Sequence, residues 1–389
     1  MDQFYNYGPV AFPVFIQTQS VGENCNMNCS YCTRTSQKPN LGSQHMEIAV
    51  LEEFTKQYID AQIHADVRFY WRGGEPLLRG LQFFEKAVYF QKLYREGKKT
   101  GNVIRTNGLL LDHEWCEFFK RNDFQVEIVI DGSRHCHDRY RRKKDGTGTY
   151  DEVMLAVSFL QKYKIRFTVI AYINDYNVHF PLEIYHFFKT QGFRNIHFEP
   201  LTGFQKGAYA EWSVSSASYG EFLCKIFDEW IRHDVGKVSV SIFEDTLRTF
   251  CKKEPANCMF AQTCGHFALT QFNGEVYACS HFNKMDYLLG NLQDQTITGM
   301  LYGRKQLRFG QSKRSALTVQ CKKCEYLRLC NGGCPKDRIG NSNRGEKGHN
   351  ILCLAYLRFF KHATPAMTFM AEEIAEGGSP ARIMSFFEV

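Results

Sequence analysis

The chain has 389 residues, 44% of them apolar and 23% charged, with a formal charge of +7; this is ordinary globular composition and excludes a disordered or fibrous chain. No apolar run approaches the roughly 20 residues that span a bilayer, and the start MDQFYNYGPVAFPVFIQ lacks the basic and apolar segments of a secretory signal. The expectation is a cytoplasmic protein with no membrane partner, and no nucleic-acid partner either, because the densest basic stretch, RYRRKKDG at 139–146, ends in turn residues.

The first predicted strand, PVFIQTQS at 13–20, runs directly into ENCNMNCSYC, which places Cys25, Cys29 and Cys32 on one loop. A structural zinc site closes with four ligands; three thiols leave one position open. A helix over 46–61 follows, then a strand at 67–71 ending in Gly73, Gly74, Glu75 and Pro76. The alternation continues with a helix at 81–97, a strand at 102–107 ending in Thr-Asn-Gly, a helix at 111–122 and a strand at 126–130 ending in Ile-Asp-Gly. A loop, HDRYRRKKDGTGTY, leads to a helix at 150–164, strands at 165–172 and 195–200 around a helix at 180–192, and a last helix at 216–233. Apolar spacing at i, i+3, i+4 marks the helices, and β-branched and aromatic runs mark the strands. Six strands with intervening helices imply a parallel α/β sheet, a partial (β/α)6 TIM-like barrel over 1–235, with ligands at the carboxyl ends of its strands.

From about 250 to 355 the chain is rich in Cys, Gly and Lys, with only short β-like pieces such as HFALTQFNGEVYACS. Eight of the fifteen cysteines fall at Cys258, Cys264, Cys279, Cys321, Cys324, Cys330, Cys334 and Cys353. In a reducing compartment they point to metal, and this region, 236–362, is expected to depend on it. Two 4Fe-4S clusters or two zinc sites both suit eight thiols. The tail at 363–389 reads as a helix, a Gly-Gly-Ser-Pro break and a short second helix. Cys116 and Cys136 read as core or loop thiols.

The C-x3-C-x2-C loop after the first strand, with Tyr31 before its last cysteine, resembles the radical S-adenosylmethionine (SAM) superfamily. There, three cysteines hold a 4Fe-4S cluster whose open iron chelates SAM, and SAM is cleaved to a 5′-deoxyadenosyl radical that abstracts hydrogen from substrate. The resemblance implies that Gly73, Gly74, Glu75 and Pro76 hold the SAM amino group. It places Tyr31, Arg105, Thr106, Asn107 and Asp131 among further cofactor contacts, with Arg141 pairing the SAM carboxylate. The C-terminal spacing is similar to the SPASM extension. That implies one auxiliary 4Fe-4S cluster on Cys258, Cys264, Cys279 and Cys334 and another on Cys321, Cys324, Cys330 and Cys353, three clusters in all.

The segments WRGGEPLL, DYLLGNL, FGQSKR and CNGGCPKDRI resemble the anaerobic sulfatase-maturating enzymes, oxidoreductases that convert a Cys or Ser side chain of a protein to formylglycine. A protein or peptide substrate and a reducing donor such as flavodoxin or ferredoxin follow from that resemblance. The pattern breaks at four positions. Ser280 stands where the family carries its proposed base, an aspartate; Arg34 replaces a Tyr, Arg105 a Gln and Arg72 a His. A serine hydroxyl is no base near neutral pH, so His281 is the substitute candidate, and Ser280, His281 and Arg34 form the catalytic set. The three arginines suit an acidic partner, which keeps open a second reading: a maturase of ribosomally made peptides that forms a crosslink or other side-chain modification. A zinc- or cluster-stabilised binding protein is the non-enzymatic reading.

Overall fold

The computed structural model describes residues 15–32, 45–205 and 207–387. Its centre is a parallel run of six strands in chain order: β1 (Phe15–Gln19), β2 (Asp66–Arg72), β3 (Lys99–Thr106), β4 (Phe124–Val129), β5 (Phe167–Ile173) and β6 (Asn195–Pro200). The five crossovers between them carry the helices Ile48–Asp60, Gly80–Tyr94, His113–Arg121, Tyr150–Lys162 and Pro181–Thr190. Consecutive parallel pairing in chain order is the winding of a βα barrel. It matches the expected α/β, partial-barrel fold.

Strand alternation separates two chemistries. In β2, Val67, Phe69 and Trp71 are fully buried, while Arg68, Tyr70 and Arg72 between them are half-buried. The apolar side packs on helices: Trp71 meets the rings of Phe83 and Phe84 at 6.0 and 5.4 Å, and Phe54 and Tyr58 pack on Phe69. The helices begin where their caps are. Asp112 accepts from Trp115 N–H at 3.0 Å, and Ser215 accepts from Ser218 N–H at 3.1 Å to start the helix Ser216–His233.

After β6 come a two-rung hairpin, β7 (Phe204–Gln205) and β8 (Ala208–Tyr209), and then β9 (Ser239–Val240), which pairs parallel with β6. That seventh parallel strand and the helix Ser241–Phe250 behind it exceed the six-strand expectation; two residues are too few for a pattern to show. The cysteine-rich region is also better ordered than its composition suggests. β10 (Phe267–Gln271) pairs parallel with β1 along its whole length, and β11 (Glu275–Tyr277) and β12 (Leu288–Asn291) continue antiparallel, giving one ten-stranded sheet. Arg304–Ser315 is a twelve-residue helix. The helix Cys353–Ala375 runs through residue 363 and packs on Ser216–His233, where Gly220 lets Ala355 approach: a Cβ there would stand 3.0 Å from Ala355 Cα. A break at Gly377 and Gly378 precedes a short 3-10 segment, Pro380–Phe387.

Candidate active site and metal centres

Cys25, Cys29 and Cys32 lie on the loop that leaves β1. Two neighbouring segments fix its path. Asn28 N–H donates to Arg142 O at 2.8 Å and Ser30 N–H to Tyr140 O at 3.1 Å, while Gly74 N–H reaches Gly22 O at 3.0 Å and Glu75 N–H reaches Asn24 O at 2.8 Å. A Cβ on Gly74 would stand 1.8 Å from Asn24 O, and Gly73 has φ +135° with Gly22 O 2.9 Å from where its Cβ would be. The glycine pair is therefore required by the approach of the cysteine loop itself. Pro76, itself buried, opens a 3-10 turn.

Glu75 is fully buried, and both its oxygens are engaged: Oε1 accepts from Leu77 N–H (3.0 Å) and the Thr106 hydroxyl (2.8 Å), Oε2 from Asn107 N–H (2.8 Å). Burial pushes its pKa up to about 7 against those donors. Glu75 thus joins the ends of β2 and β3, and Asn107 Nδ2 in turn reaches Asn26 Oδ1 at 2.8 Å and Cys25 Sγ at 3.6 Å. On the other side, Tyr31 OH donates to Asp131 Oδ2 at 2.7 Å and accepts from Arg141 Nη1 at 3.0 Å. Asp131 is fully buried; burial raises it to about 6 although Arg141 and Tyr31 oppose this. Among the described residues, Arg141 Nε, Thr18 Oγ1, Gln19 Oε1 and Ser20 Oγ are buried without a hydrogen-bond partner. Orphaned polar atoms around the end of β1 are what a bound polar ligand would satisfy. Arg34 lies outside the described residues.

Arg105 has partners of its own beside these candidates. Its Nε donates to Glu127 Oε2 at 2.7 Å, directly across from it in the β3–β4 register, and its Nη1 reaches the Tyr172 hydroxyl (3.1 Å) and Glu199 Oε2 (3.2 Å). Arg72 pairs with Glu127 at 3.0 Å. Two arginines meet two carboxylates on the half-buried face of β2, β3, β4 and β6. Burial would raise both glutamates, but the cations win: Arg105 and Arg72 hold Glu127 at about 2, and Arg105, His197, His281 and Lys336 hold Glu199 at about 2. The arginines are therefore internally balanced and form no open anion site. Sequence reading missed Glu127 and Glu199, although a carboxylate inside an otherwise apolar strand is a visible signal.

The eight C-terminal cysteines fall into two groups. Cys279 is pushed up by burial and then by Cys334, Cys258 and Cys264; Cys330 is raised to about 12 by burial and then by Cys353, Cys321 and Cys324. Ser280 and His281 follow Cys279, whose Sγ accepts from the His281 N–H. Two cations attend the groups, Lys313 fully buried and Arg338 half-buried. Lys313 acts on Cys258, Cys264 and Cys334, and Arg338 acts on Cys321, Cys264, Cys330 and Cys334. Tetrahedral Zn–S bonds of about 2.3 Å draw thiolates to roughly 3.8 Å of one another. Among the described residues no three of the eleven motif cysteines, with or without His45, lie within 4.8 Å of one another; the group that does is His135, Cys136 and Glu183. There the His135 ring is already engaged by Tyr176 and Glu183. Cys116 and Cys136 are fully buried, the latter beside Gly132.

A family model for the radical SAM superfamily matches residues 20–188, and one for an iron–sulfur cluster-binding domain, SPASM, matches 258–325. A serine-type anaerobic sulfatase-maturating enzyme of Bacteroides thetaiotaomicron is 40% identical over 97% of this chain and 96% of its own. A cysteine-type enzyme of Clostridium perfringens is 29% identical over 93% and 99%. The solved structure of native anSMEcpe with bound AdoMet and Cp18Cys peptide superposes with a TM-score of 0.84 at 28% identity, over 93% of this chain and 99% of that one. Among the described residues no helix is long and apolar enough to cross a membrane.

Proposed function

We propose that this chain, which belongs to the anaerobic sulfatase-maturating enzymes of the radical SAM superfamily, oxidises a Ser or Cys side chain of a sulfatase polypeptide to formylglycine. The observation that carries the reading is the three-cysteine loop, held at the carboxyl end of β1 by Gly74 and Glu75 on one side and by Tyr140 and Arg142 on the other. In this reading Cys25, Cys29 and Cys32 hold the 4Fe-4S cluster that binds SAM, and the two C-terminal sets hold auxiliary 4Fe-4S clusters. When bound, the first cluster and SAM supply hydrogen-atom abstraction from the substrate side chain.

The chain's own residues do the rest. Asn107 orients the loop at Cys25, and Tyr31 with Asp131 aims Arg141, whose unpartnered Nε is the donor for the SAM carboxylate. After hydrogen-atom abstraction, completing the aldehyde from a serine CH2OH requires loss of a proton and an electron, and the auxiliary clusters that the C-terminal cysteines would hold are the electron's acceptors. With Ser280 unable to accept the proton, His281 takes that role, its charge stabilised by the ionised Glu199. An electron donor of the flavodoxin or ferredoxin type and a reducing cytoplasm complete the reading. The internal pairing of Arg72 and Arg105 leaves Arg34 alone of the three arginines as a reason to expect an acidic peptide.

The test is anaerobic. The reconstituted enzyme is given SAM, reductant and Ser-x-Pro-x-Arg or Cys-x-Pro-x-Arg peptides, and 5′-deoxyadenosine and aldehyde are followed together. Both products are expected; deoxyadenosine without aldehyde from either peptide would transfer the radical chemistry to another client. His281→Gln should keep SAM cleavage while lowering aldehyde formation by about 100-fold.

A further inference from the structure

Lys313 lies in the helix Arg304–Ser315 and is fully buried. Its Nζ donates to the carbonyls of Cys258 and Met259, each at 2.8 Å. Among the described residues no carboxylate lies within ion-pair distance of it. Desolvating an ammonium costs several kcal/mol, and two carbonyl dipoles offset only part of that. The groups on which its charge acts are the thiols of Cys264, Cys258 and Cys334.

We propose that Lys313 is a positioning residue whose standing charge holds the auxiliary centre of Cys258, Cys264, Cys279 and Cys334 at a higher reduction potential than the centre of Cys321, Cys324, Cys330 and Cys353. The inference rests on the reading of both sets as 4Fe-4S sites. Cluster potentials follow local charge and hydrogen bonding. A cluster on four thiolates is an anion that gains a further negative charge on reduction, so a nearby fixed cation favours the reduced form. Arg338 acts on thiols of both sets; Lys336 is matched by Asp337 at 2.7 Å; Arg72 and Glu199, which both act on Cys258, oppose each other. On the second set His349 brings Nδ1 to 3.7 Å from Cys321 Sγ, a hydrogen-bond contact shared with Thr318 and weaker than a fixed ammonium charge. The consequence is directional: the auxiliary centre nearer β6 and His281 is the better electron acceptor.

The experiment is a redox titration followed by electron paramagnetic resonance, on full-length enzyme reconstituted anaerobically, after iron and sulfide analysis. The native enzyme should carry about twelve irons and show two auxiliary steps, the higher of which disappears in Cys258→Ala. In Lys313→Met and Lys313→Gln the higher step should move to lower potential by at least tenfold in the reduction equilibrium, about 59 mV for a one-electron couple, with the lower step unmoved. Lys313→Arg should restore it. Unmoved steps in iron-replete Lys313→Met overturn the proposal. Should the Lys313 variants lose iron, Cys258→Ala decides: loss of the lower step overturns it, and loss of the higher step supports it. Native enzyme with zinc and no sulfide would instead overturn the cluster reading, and the proposal with it.

Discussion

Around the three-cysteine loop, buried charges meet protein partners: Asp131 has Tyr31, Glu75 has two backbone amides and a threonine, and Glu127 has two arginines. Among the eight C-terminal cysteines, the buried Lys313 and the half-buried Arg338 face carbonyls and thiols. The first region is a scaffold whose carboxylates are all engaged, with Arg141 Nε and the oxygens at the end of β1 left for what binds there. The second has cations whose natural counter-charge is the cluster. Metal should therefore serve chemistry in one region and folding as well in the other.

The largest expected effect tests the first half of that contrast. Cys25→Ala should abolish SAM cleavage and reduce iron from about twelve to about eight per chain. It should change unfolding stability by less than about 1 kcal/mol, because the sheet below the loop is finished without it. Anaerobic iron analysis and thermal unfolding check this. A Cys25→Ala chain that unfolds would remove the distinction between the regions.

Stripping iron with a chelator tests the other half. Limited proteolysis should then cut within 251–353 about tenfold faster than in loaded enzyme, while 46–200 resists as before. β10 pairs with β1, and Cys353–Ala375 packs on Ser216–His233, so the ends of the region stay anchored and the cuts belong between them. Equal acceleration in both regions would show that the barrel also depends on metal.

Within the scaffold, the ion network gives a third test. Arg105→Leu leaves Glu127 and Glu199 with one arginine between them and should cost about 3–5 kcal/mol in anaerobic denaturant unfolding. The double variant Arg105→Leu/Glu127→Leu leaves Arg72 and Glu199, again balanced, and should recover most of that loss. Equal losses in the single and double variants would mean that the network carries no electrostatic coupling.

The same contrast explains what was legible in the sequence. The six barrel strands announce themselves because apolar residues alternate with polar ones and amphipathic helices intervene; the cysteines announce their groups by spacing. Lys313 looks like a surface residue in FGQSKRS, since only the folded chain turns it inward. Arg72 and Arg105 were visible as departures, but their meaning depended on β3–β4 register, which places Glu127 opposite Arg105. Gly74 was visible as a glycine that something must approach; its approach to Asn24 joins two loops far apart in sequence. Periodicity reports which face a residue occupies and stays silent on what it meets there.

The smallest expected effect sharpens the comparison inside the scaffold, between two buried carboxylates of opposite behaviour. Glu127, held at about 2 by arginines, favours the folded state above the ordinary glutamate range and loses that contribution only as pH falls toward 2. Glu75, raised to about 7 by burial, does the reverse: between about 4.5 and 7 the folded chain keeps a proton that the unfolded chain has released. Stability must fall as pH rises through that window, by up to about 1.4 kcal/mol per pH unit. Glu75→Gln cannot titrate, so it should be the less stable protein at pH 5.5, having lost the acceptor for Asn107 N–H at a cost of about 1–3 kcal/mol, and should close that gap by pH 7.5. Parallel stability curves for the two proteins over this range would mean that the three hydrogen bonds fully offset burial. Glu75 would then stand with Glu127 as a carboxylate ionised throughout, and backbone amides would rank equal to arginines as partners for a buried charge.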